Sequence, residues 1–211
     1  MKKSLYSLML SDEVVRAVDR MAYDRGMSRS GLINRILAQQ FSMTTPDMWY
    51  ESVLDCVAQI TETRQRLQLQ PQPSASMLSL KSFLDYKYNP TIRYSVELFA
   101  EGEGYSGELR VSSRTQNEGL LAMLEDFFTH WAALESGRHP PDTLLVQVEN
   151  GRFYRRFSLP QKDGQESTDV IGKRIGQYIH QLDLALSAYF HAARIGGGMV
   201  YLEKYFDDAT K

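Results

Sequence analysis

The chain has 211 residues, 43% hydrophobic and 24% charged, an ordinary balance for a folded protein that excludes a disordered or fibrous polymer and leaves room for two small domains. A single cysteine, Cys56, excludes an intrachain disulfide and a cysteine-rich metal centre, and no run approaches the roughly 20 apolar residues that cross a bilayer. The formal charge of −2 is uneven: residues 1–41 hold seven Lys or Arg against four Asp or Glu, a net of +3, which leaves −5 for the remainder.

The first element is a strand, Lys3-Ser4-Leu5-Tyr6-Ser7-Leu8-Met9-Leu10. A strand with no sequence-adjacent partner cannot satisfy its own backbone donors and acceptors. Its nearest candidate partner is its own copy in a second chain, and a two-stranded ribbon fits the DNA major groove. Ser11 then suits an N-cap, with Asp12 and Glu13 where a helix dipole favours negative charge. Val14, Val15, Val18, Met21 and Ala22 recur at helical spacing, and Arg25-Gly26 ends the run with a residue suited to the left-handed position. A second helix opens at Ser28-Arg29-Ser30 and carries Leu32, Ile33, Ile36, Leu37 and Phe41 as its stripe. Two helices this short bury too little to fold alone, and an intertwined dimer answers both the strand and the core problem.

Taken together, the alternating strand, the Ser-Asp-Glu start, the Arg-Gly-Met-Ser-Arg-Ser turn and the Leu-Ile-Asn-Arg-Ile-Leu run make Lys2–Phe41 resemble the ribbon-helix-helix family, the fold of the Arc and methionine repressors. The resemblance covers about a fifth of the chain and implies a homodimer on double-stranded DNA. Carried over residue by residue, it turns Leu5, Ser7 and Met9 toward the bases and leaves Tyr6, Leu8 and Leu10 for the dimer core. Phosphate falls to Lys3, Ser28, Arg29 and Ser30. Of the three base-facing residues only Ser7 can hydrogen-bond; Leu5 and Met9 can touch thymine methyls but cannot read a donor and acceptor pattern. The residues agree at the second helix, whose hydroxyls, guanidinium and free N–H groups make an anion site. The basic head on an acidic body agrees as well.

Beyond Phe41, Thr45 caps a connector helix with Pro46 at its first position. Trp49, Val53, Cys56, Ile60, Thr63 and Leu67 alternate four and three apart, a short stripe that fits either a coiled coil with its twin or packing on a following domain. Gln68–Ser76, with two prolines, reads as an extended linker. The expected organisation is therefore a ribbon-helix-helix domain over 1–44, a connector helix and linker over 45–76, and an α+β domain over 77–211.

In that last domain, Leu78–Lys87, Thr91–Ala100 and Ser106–Ser112 read as strands. Asn117–Glu135 reads as a helix burying Leu120, Leu124, Phe127, Phe128, Trp131 and Leu134. Thr143–Val148 and Arg152–Leu159 flank Asn150-Gly151, a two-residue hairpin signal. Ser167–Ala193 is a long helix with Ile171, Ile175, Tyr178, Ile179, Leu182, Leu186 and Tyr189 inward. The order βββαββα predicts an antiparallel sheet with helices on one face, and the tail Met199–Phe206 is expected as a strand or an arm.

No catalytic constellation emerges. The histidines, His130, His139, His180 and His191, lack zinc spacing, and Gly196-Gly197-Gly198 follows a helix where a phosphate loop precedes one. Arg152, Tyr154 and Arg156 share one strand face, a pattern that fits either the wet side of a sheet or nucleic-acid binding; Arg155 falls on the apolar side. The expectation is a non-enzymatic, cytoplasmic, dimeric DNA-binding transcriptional regulator of repressor type, without cofactor or metal. Its C-terminal domain would sense a ligand, oligomerise further or recruit a protein. The alternative is a dimeric protein-interaction module, as in an antitoxin or a phage or plasmid accessory protein, whose ribbon serves only dimerisation.

Overall fold

The structure, a computed structural model, describes residues 4–62, 66–71, 74–101, 104–138, 145–159, 166–196 and 202–209. Among these it is an α+β protein with six helices and one six-stranded antiparallel sheet. The chain divides into two compact units, Met1–Trp49 and Tyr50–Lys211.

The first unit holds α1 (Asp12–Asp24) and α2 (Arg29–Gln40). Ser11 precedes α1 in an extended conformation, and Asp12 and Glu13 occupy the first turn as the dipole favours. Gly26, at φ +61°, closes the helix while Met27 N–H donates to the Ala22 carbonyl at 3.0 Å. Ser28 Oγ accepts from the Gly31 N–H at 3.1 Å and caps α2. The strand expected over 3–10 is not formed within one chain: residues 4–10 belong to no ladder and are exposed, and Lys3 lies outside the described residues. The reason is the lack of a partner: among the described residues of this unit there is no second strand to pair with. In α1 and α2 only Ala22, Leu32 and Ala38 are buried.

The division between units falls inside α3 (Pro46–Glu62), whose start Thr45 Oγ1 caps by accepting from Met48 N–H at 3.3 Å. The strands are β1 (Gln68–Leu69), β2 (Met77–Phe83), β3 (Thr91–Glu101), β4 (Gly104–Ser113), β5 (Leu145–Glu149) and β6 (Arg152–Leu159), in the order β1-β2-β3-β4-β6-β5. Asn150 and Gly151, at φ +52° and +68°, make the tight turn between β5 and β6, as their sequence predicts. The remaining helices are α4 (Glu118–Arg138), α5 (Thr168–Arg194) and α6 (Leu202–Ala209).

Side chains alternate along the strands, so the register fixes two faces. Ile92, Tyr94, Val96 and Leu98 of β3 lie beside Leu78 and Leu80 of β2 and Leu109 and Val111 of β4, all buried. Against this face pack the inner sides of α4 and α5: Phe128 stacks on Phe153 with centroids 5.4 Å apart, and Tyr94 donates through its hydroxyl to Asp183 of α5 at 2.9 Å. Burying a side chain of Phe or Leu size stabilises by about 1.5–3 kcal/mol. Phe127, Phe128, Trp131, Phe153, Phe190 and Phe206, all fully buried, therefore dominate this core.

Several expectations need correction. The segment 68–76 is not wholly linker, because Gln68 and Leu69 form β1 against Lys81 and Leu80. The tail holds a helix, α6, where a strand or arm was expected; Leu202, Phe206 and Ala209 at helical spacing give it a buried side. On α4 the buried position is Glu135, while Leu134 is only half-buried. The stripe on α3 is engaged within the chain at Cys56 and Ile60, while Thr63 lies outside the described residues. A Cβ added at Gly172 of α5 would stand 2.6 Å from Cys56 Cβ, and one at Gly176 would stand 3.2 Å from Ile60 Cβ. The two glycines, one turn apart, let α3 and α5 cross closely, while Val53, Leu54 and Val57 are buried.

Candidate nucleic-acid interfaces

Two surfaces carry residues suited to nucleic acid, one in each unit. In the first, Leu5 and Met9 stand fully exposed at 99% and 101%, and Ser7 between them is exposed. Tyr6, Leu8 and Leu10, expected in a dimer core, are exposed at 82%, 62% and 44% in the single chain. The helix start that follows is ordered by its own hydroxyls: Ser28 Oγ, the cap, lies 3.4 Å from Ser30 Oγ. Arg29 reaches back to α1 and binds Asp19 through two hydrogen bonds, Nε to Oδ1 and Nη2 to Oδ2, the latter at 2.7 Å. Both partners are well exposed, so water and salt screen the pair and a phosphate can compete for the guanidinium. Ser28, Arg29 and Ser30 are thus brought together at one helix end; Lys3 lies outside the described residues.

The second surface is the side of the sheet opposite α4 and α5. Here the residues between the core positions line up: Lys81 and Phe83 on β2, Arg93, Ser95 and Glu97 on β3, Glu108, Arg110 and Ser112 on β4, Tyr154 and Arg156 on β6. The face is polarised. Its β3 end near Glu101 is acidic: Arg156 is paired with Glu101, and Arg110 donates to Glu108 at 2.6 Å, a bond that raises its already high pKa. The opposite end is basic, with Lys81 and Arg93 directly opposed in the β2–β3 register. Aromatic rings punctuate the face, each with a cation beside it: Lys81 with Phe83 at 5.6 Å, Arg110 with Tyr154 at 5.4 Å, Arg156 with Phe99 at 5.3 Å.

The buried charges of the second unit serve the core. Glu135, with no exposed surface, accepts from Arg155 Nε at 2.6 Å and from the Tyr178 hydroxyl, which itself accepts from Trp131 Nε1 at 2.9 Å. Burial first, and the Glu135 carboxylate second, push the Tyr178 phenol well above its usual pKa. Burial of Arg155 works against its charge, but the Glu135 carboxylate beside it helps to outweigh that cost, and the guanidinium pKa is raised. Asp183 is satisfied in the same manner by Tyr94 and by Arg66 Nε at 2.9 Å. Arg155 is visible in the sequence as a charge on the apolar side; Glu135 is not, although it lies one turn after Trp131 on the same stripe. Among the described residues no group of three His, Cys, Asp or Glu side chains is placed to hold a metal. His191 bonds Asp85 at 2.9 Å and His180 is buried within α5, so the two do not share a site. Comparison with family models, with curated proteins and with solved structures gave no match.

Proposed function

We propose that the chain is a non-enzymatic DNA-binding regulator that works as a homodimer of the ribbon-helix-helix kind. Residues 4–10 of two copies pair as the ribbon, Tyr6, Leu8 and Leu10 close the dimer core, and Leu5, Ser7 and Met9 meet the bases. The second helices hold phosphate at Ser28, Arg29 and Ser30 with their N-terminal N–H groups. The observation that carries this reading is the run from Leu5 to Leu10, exposed on both alternations beside a helix pair that buries only one large side chain, Leu32. A second copy supplies what one chain lacks, both ladder partners and apolar cover.

The test is sedimentation of the full chain together with titration against a random duplex at low salt. Wild type is expected as a dimer that binds duplex. Leu8→Lys is expected to be monomeric and to lose duplex binding. A wild-type monomer with folded α1 and α2 overturns the reading. The apolar character of Leu5 and Met9 favours the second reading, in which the ribbon only joins two copies of a protein-interaction module. Ser7→Ala separates the two: it relaxes sequence preference if the ribbon reads bases and leaves DNA affinity untouched if it does not.

A further inference from the structure

The basic end of the open sheet face is built against its own stability. Lys81 and Arg93 are direct cross-strand neighbours, an arrangement of like charges that destabilises a sheet. The same row continues through Ser112, opposite Arg93, and the pairing of Val111 with Phe153 sets Arg152 at its far side. Among the described residues none of Lys81, Arg93 and Arg152 is in an ion pair, although Glu149 of β5 stands opposite Arg152 in the register, whereas Arg110 and Arg156 in the neighbouring rows are both paired. Phe83, 46% exposed, and Tyr154, half-buried, offer rings beside this row on its two sides.

We propose that this end of the face binds single-stranded nucleic acid, with phosphates along Lys81, Arg93 and Arg152 and bases stacked on Phe83 and Tyr154. The four strands β2, β3, β4 and β6 span three steps of about 4.8 Å, roughly 14 Å. One known kind of four-stranded sheet stacks two or three bases on its aromatic residues, and here the two rings lie on the first and last of four adjacent strands, on one face of the six-stranded sheet. Rings near both ends of a cationic row fit bases and phosphates in one strand, while an acidic peptide would use the cations and leave the rings idle. The inference does not rest on the ribbon reading, because it concerns a different unit and a different form of nucleic acid.

The experiment is fluorescence anisotropy with the full chain, a labelled mixed-sequence single-stranded DNA and the matching duplex, over a range of salt. Arg93→Ala is expected to weaken single-strand binding and to reduce the salt slope by about 0.7. Tyr154→Ala is expected to weaken it about 5- to 150-fold, with Tyr154→Phe restoring affinity. Glu97→Ala, on the acidic side of the same face, should not weaken binding. Lys81→Ala should lose affinity while melting no lower than wild type, since it relieves a like-charge pair. Leu8→Lys, which tests the ribbon, should keep single-strand binding even where it loses the duplex. Failure of wild type to bind the single strand overturns the proposal, as does equal weakening of duplex binding by Arg93→Ala. Displacement by polyglutamate as effective as by unlabelled single strand, with Tyr154→Ala unchanged, assigns the patch to an acidic protein and overturns it too.

Discussion

Between Leu5 and Met43 of the first unit, 12 large apolar side chains stand exposed; in the much longer second unit, five do among the described residues. The second unit places its rings and branched chains between one sheet face and four helices, and its few buried charges are paired. The first unit has caps, turns and amphipathic spacing, yet one large buried side chain. Local signals are enough to shape two helices but not to hold them, because helical stability in proteins comes mainly from packing an apolar face. The two units should therefore respond differently to concentration. The second, whose apolar side chains are covered within the chain, should unfold independently of protein concentration, while the unfolding of the first, if a second copy covers its apolar residues, should shift with it.

The largest expected effect breaks the second unit and spares the first. Arg155→Ala leaves the Glu135 carboxylate with no exposed surface and without its cation. Removing one partner of a buried pair costs about 3–5 kcal/mol. Urea unfolding followed by tryptophan fluorescence should show that loss, since Trp131 lies in the same network. A change under about 1 kcal/mol would mean that the pair is solvated and that the second unit is held by its apolar core alone.

Gly172→Ala comes next. Its Cβ would meet the Val53 carbonyl oxygen at 2.7 Å as well as Cys56, and backbone cannot yield as a side-chain tip can. Overpacking of this kind costs about 1–3 kcal/mol. The expected loss, read from the same unfolding curves, ties α3 to the second unit. If α3 instead zipped against its twin, the substitution would be silent at low concentration.

How much of this could be read beforehand differs element by element. Ser28 and Asn150-Gly151 announce a cap and a hairpin through chemistry contained in a few residues, and the structure places both where the sequence does. The strand β1 could not be read, because two residues between glutamines and prolines become a strand only when Lys81 and Leu80 are alongside. The glycines of α5 look like weaknesses in a helix until Cys56 and Ile60 are seen to occupy the space they leave. The apolar pattern of α4 points to Leu134 and not to Glu135, because a buried carboxylate is intelligible only with Arg155 and Tyr178 around it. The row of Lys81, Arg93 and Arg152 was half visible: Arg152 and Tyr154 marked one strand, but the neighbours come from β2 and β3 through register.

The smallest effect concerns the first unit. Ser28→Ala removes the hydroxyl that accepts from Gly31 N–H, worth about 0.5–2 kcal/mol at an N-cap. With so little buried in this unit, the loss should lower the melting of α1 and α2 visibly in far-ultraviolet circular dichroism. If dimerisation completes this unit, raising protein concentration should recover part of the loss, because association and folding share one free energy. A shift independent of concentration would mean that the two helices stand without a second copy, and the contrast between the units would then be one of degree rather than of kind.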